Sequence, residues 1–150
     1  MEKDILLFRQ IHPSFVQNNG VSNQAFVTSS AFKPTPKDDN KLSVYNSTFF
    51  DAKQAFEHYV KSNKSYGVLA VSVDDCESEE LLCIDDNHPF EGHASIDYSR
   101  HPSNSRKEKI AKRIRDKAMI RKWQYTLATY ESDLKVDNMV EVVANDTETT

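Results

Sequence analysis

The chain has 150 residues, 38% of them hydrophobic and 28% charged, with a net charge of −4. That length suits one domain, and eight Phe, six Tyr and one Trp supply enough apolar surface for a packed core, which excludes a wholly disordered chain. No apolar run is long enough to cross a bilayer and no secretory pattern opens the sequence, so a soluble, cytoplasmic, non-membrane protein is expected.

Ile5 to Ile11 reads as a buried first strand with Arg9 among apolar neighbours, ended by His12-Pro13. Asn18-Asn19-Gly20 is a hairpin turn signal. Gln24 to Val27 and Ala31-Phe32 read as short extended pieces. After the polar loop Pro34 to Lys41, Leu42 to Tyr45 forms another short strand.

Phe50 to Val60 has apolar residues at helical spacing and is expected to be capped by Asp51 or by the preceding Ser47-Thr48. Gly67 to Val73 is the clearest strand, β-branched and apolar enough for a central place. Leu81 to Ile84 and His93 to Ile96 follow as short strands, separated by the turn Asn87-His88-Pro89. The capping-box pattern Ser105-Arg106-Lys107-Glu108 starts a helix whose apolar stripe is Ile110, Ala111, Ile114, Ala118 and Met119. Together these elements predict an α+β fold: a small, mainly antiparallel sheet with one short helix and one basic C-terminal helix. The domain is expected over residues 1–130, and 131–150 is read as a flexible acidic tail.

Charge is segregated along the chain. Nine Lys and Arg stand between Arg106 and Lys122 against Glu108 and Asp116, whereas Asp74, Asp75, Glu77, Glu79, Glu80, Asp85 and Asp86 make an acidic segment. Lys109, Lys112, Arg113 and Arg115 are therefore candidates for binding a protein partner or nucleic acid, the alternative being a solvated face balanced by the acidic segment. Cys76 and Cys83 read as reduced thiols, because their spacing fits no common zinc motif. Asp85, Asp86, His88 and His93 lie close in sequence, but structural zinc favours sulfur-containing sets. No metal site and no cofactor is expected.

Arg9, His12, Ser43 and His93 are the candidate catalytic residues. An arginine in an apolar strand is costly unless it is paired or meets a ligand, although a strand at the sheet edge could turn it to solvent. The segments Arg9-x-x-His12-Pro13, Ser22-Asn23-Gln24-Ala25-Phe26, Leu42-Ser43-Val44, Gly67-Val68 and His93-Ala94 resemble those of a family of small uncharacterised bacterial proteins, over roughly Leu7 to Ile120. The resemblance implies that these positions belong together and brings no activity with it.

A second likeness is to the ADP-ribosyltransferase and RES-toxin type. It implies that Arg9 holds a pyrophosphate, that Ser43 or Tyr45 supports a ribose, and that Glu57 stabilises an oxocarbenium-like state. Glu57 falls on the helix expected over Phe50 to Val60, and no strand carries the paired Glu of that type. Two functions remain: a bacterial accessory or interaction protein of the operon- or mobile-element-linked kind, and a nucleotide- or NAD-processing enzyme or toxin.

Overall fold

The computed structural model describes residues 1–18 and 25–148. Strands β1 (Leu6–Ile11), β4 (Lys41–Asn46), β5 (Gly67–Ser72), β6 (Leu82–Ile84), β7 (His93–Asp97) and β8 (Tyr125–Thr126) form one sheet in the order β6-β7-β4-β1-β5-β8. Every pairing in it is antiparallel, as expected for an α+β chain. Strands β2 (Val16–Asn18) and β3 (Ala25–Val27) pair separately, and the Asn19-Gly20 part of the expected hairpin turn lies outside the described residues.

Strand alternation sends apolar side chains to both faces, so both faces must be covered. On one face Leu7, Ile11, Leu42, Val44, Leu69, Val71, Ala94 and Ile96 pack against Ile110, Ala111, Ile114 and Ala118 of the basic helix α3 (Asn104–Arg121). On the other, Phe8, Tyr45, Val68 and Ala70 meet Ala55 and Phe56 of α1 (Ala52–Val60), with Tyr125, Leu127 and Tyr130 completing the cluster. The Asp51 side chain caps α1, and Gln54 closes the reciprocal bond to the Asp51 backbone.

Several local expectations change. Ala31 and Phe32 belong to a 3-10 turn, Ser29–Phe32, which buries both side chains without using a strand. Helix α3 starts one residue before Ser105, because Ser103 has the extended backbone and accepts from Arg106 N. Nor is it the last helix, since α4 (Leu127–Glu148) follows and crosses the boundary expected at 130. Part of the acidic segment forms α2 (Val73–Glu77), capped by Ser72 and Asp75. Strand β1 lies between β4 and β5, so Arg9 is not on an edge strand. No helix among the described residues is long and apolar enough to cross a membrane.

Candidate functional site

The site begins with a gap in the sheet. Strand β1 is matched to β5 along its whole length, from Leu6↔Ser72 to Ile11↔Gly67, yet it meets β4 only at Leu7↔Asn46 and Phe8↔Tyr45. Beyond those pairs the Arg9 guanidinium takes the place of a strand partner. Its Nε donates to Ala31 O at 2.9 Å and its Nη1 to Ser43 O at 3.0 Å. Among the described residues no carboxylate forms an ion pair with it. Burial holds the guanidinium below its ordinary value, and the nearby Tyr59, Asp38 and Tyr98 oppose that only in part. It remains a cation.

Above this gap, between the sheet, the end of α1 and the loop before β7, lies a cavity of about 470 Å³. Arg9, Gln10, Ser43 and Tyr45 line it from the sheet, and His58, Tyr59, Ser62 and Asn63 from α1 and its end. Pro89, Phe90 and His93 close it from the third side. Its size and its mixture of aromatic and polar walls are those of a small-molecule site.

The loop before β7 is held by its own backbone needs. Gly92 has φ +93, and a Cβ there would stand 2.6 Å from Phe50 and 2.7 Å from Phe49. Its N–H donates to Asn87 Oδ1 at 2.9 Å, and Asn87 N donates to His93 O at 3.0 Å. Phe90 is thereby seated between two imidazoles, with ring centroids 4.5 Å from His58 and 5.3 Å from His93.

Each imidazole has a partner that fixes its protons. His93 Nδ1 donates to Asp86 Oδ1 at 2.6 Å, while Ser95 Oγ donates to Asp86 Oδ2 at 2.7 Å. Partial burial of Asp86 opposes its ionisation, but the hydrogen bonds from His93 and Ser95 outweigh it and hold the carboxyl below its usual range. His93 therefore presents Nε2 as a lone pair, the arrangement of an oriented general base. His58 Nδ1 lies 2.8 Å from the Tyr45 hydroxyl. Burial, with Tyr59 adding to it, pushes the Tyr45 phenol up to about 12, so at neutral pH it keeps its proton, and a hydrogen bond given to Nδ1 places the proton of an uncharged His58 ring on Nε2. One cavity thus offers a proton acceptor, a proton donor and a cation.

The Asp86 bonds make a pH prediction. A carboxyl depressed in the folded state adds stability above its unfolded value, and loses it as pH falls through the folded one. Asp75, whose burial is outweighed by bonds from Ser72 and Arg121, behaves the same way. Urea unfolding between pH 3 and 7 should show stability falling on acidification as these two carboxyls take up protons. Asp86→Asn should flatten that acid limb, and an unchanged limb would contradict the assignment.

Of the four candidate catalytic residues, Arg9, Ser43 and His93 line the cavity and His12 does not. His12 caps the 3-10 turn Pro13–Phe15 by accepting from Ser14 N, and it lines a neighbouring depression. Glu57 also lies outside, facing a different hollow with Phe49 and Lys61. The part given to Glu57 by the ADP-ribosyltransferase likeness is not placed beside Arg9 and Ser43.

On α3, Arg113 pairs with Glu79, and Arg115 bonds Asp116 and lies 5.0 Å over Phe26. Arg121 pairs with Asp75. Lys109 and Lys112 are exposed. Acidic α2 and the turn after it therefore neutralise part of the basic helix. Among the described residues no three His, Cys, Asp or Glu side chains gather to hold a metal ion. No family model, curated protein or solved structure matches the chain.

Proposed function

We propose that the chain is a nucleotide-processing protein that binds a phosphorylated ligand with a planar ring in the cavity above Arg9. The observation that supports this most is a guanidinium that, among the described residues, is bound by two carbonyls and opens into a cavity whose described lining holds no carboxylate. A cation so placed favours an anion, and a guanidinium matches the paired oxygens of a phosphate. The half-buried rings of Phe90 and Tyr59 line the cavity and provide surfaces against which a base can stack.

His93, oriented by Asp86, is the residue in this reading that removes a proton from the bound ligand, and His58 is the donor on the other side of Phe90. A role for α3 in binding a partner rests on Lys109 and Lys112, a narrower basis than the cavity.

A ligand that binds the folded state raises its stability, by about 2.7 kcal/mol at a hundred times Kd. For a domain of this size that corresponds to a rise in Tm of roughly 5–10 °C. Adenosine and guanosine phosphates should produce such a rise at millimolar concentration, and the parent nucleosides a much smaller one. A melting curve unmoved by every phosphate in the panel would remove the proposal.

A further inference from the structure

The depression that contains His12 adjoins the cavity and shares Tyr59, Ser62 and Asn63 with it. Its volume is about 520 Å³, and Val60, Lys61 and Lys64 complete its lining. We propose that the two form one continuous site for a nucleotide with at least two phosphoryl groups, the first on Arg9 and the next between Lys61, Lys64 and His12. This rests on the nucleotide reading above.

Three observations support it. First, among the described residues neither lining contains an Asp or Glu, in a chain where acidic residues outnumber Lys and Arg by 23 to 19. The basic and imidazole groups of the two linings, Arg9, His58, His93, His12, Lys61 and Lys64, follow one another from cavity to depression, while Asp86 behind His93 and Glu57 beside Lys61 stand outside both linings.

Second, the groups on the outer part suit phosphoryl oxygens. Lys61 and Lys64 are exposed and mobile enough to follow an ionic chain as point charges, whereas the fixed Arg9 fork selects one position. His12 Nδ1 is committed to Ser14, which leaves Nε2 for a ligand.

Third, part of the negative end of α1 is already occupied by backbone donors. The Tyr59 carbonyl is already taken by Ser62 N at 3.3 Å and Asn63 N at 3.1 Å. Ser62 and Asn63, at the junction, bring hydroxyl and amide donors to the path between the two positions.

Isothermal titration of wild type and of the double variant Lys61→Gln/Lys64→Gln with adenosine and guanosine mono-, di- and triphosphates tests this. The variant's melting temperature serves as a check on folding. The wild type should bind diphosphates about tenfold more tightly than monophosphates, which two additional charge contacts of modest strength provide. The double variant should bind monophosphates as wild type does and lose the gain. Equal wild-type affinity for mono- and diphosphates, or a gain that survives in the variant, would overturn the second phosphoryl position while leaving the cavity reading intact. Absence of binding by every nucleotide would overturn both.

Discussion

Truncating Phe56 to alanine should cost about 3–5 kcal/mol, because it leaves a phenyl-sized void in a layer that has no slack to refill it. Phe56 is fully buried on α1, with Tyr125 and Tyr130 rings 5.3 Å away, and helps fix that helix over Phe8, Val68 and Ala70. Because α1 also carries His58 and Tyr59, the loss should extend to ligand binding. Urea denaturation gives the first quantity and titration with the tightest nucleotide the second. A variant less than about 1 kcal/mol below wild type would mean that the helix is not held as described.

Arg9→Met should act on both fold and ligand. Methionine fills a similar length but leaves Ala31 O and Ser43 O without their charged donor, a loss of about 2–4 kcal/mol. It should also abolish the nucleotide-dependent rise in Tm. Arg9→Lys separates the two effects. A lysine keeps the charge yet cannot bridge two carbonyls with a fixed fork, so binding should weaken while part of the response remains. If Arg9→Met melted like wild type and still responded to nucleotides, neither the wedge nor the anion site would stand.

The elements most legible in the sequence were those whose local signals and burial agree. The box at Asp51 and Gln54 marks α1, and the unbroken run after Gly67 is buried at every position of β5. The stripe Ile110, Ala111, Ile114 and Ala118 is the buried face of α3. Ala31-Phe32 misled because two apolar residues have no period, and a 3-10 turn buries them as well as a strand does. The start of α3 depended on a choice between two nearby serines, which the backbone of Ser103 decides.

The site was legible in part. Arg9 stood out as a charge where alternation places a core side chain, and Ser43 and His93 face the same space because β4 and β7 are paired through Ser43↔Ser95 and Tyr45↔His93. Asp86 was legible only as one of several acidic neighbours of His93. Its role follows from a loop that returns it to Nδ1, which spacing does not reveal. His58 carries no motif, and its one signal is its place a helical turn after the buried Ala55, which points it toward the sheet. His12 was grouped with Arg9 by proximity in sequence, but the Pro that follows it turns the chain, and the imidazole goes to a turn cap.

The wedge at Arg9 divides the cohesion of the sheet unequally. Six matched positions join β1 to β5 and five join β4 to β7, while two join these halves to each other. The strand ladders therefore fall mostly within two halves that meet along a short seam. Residues along the seam can be exchanged without breaking either ladder, because the core shared under α3 joins the two halves.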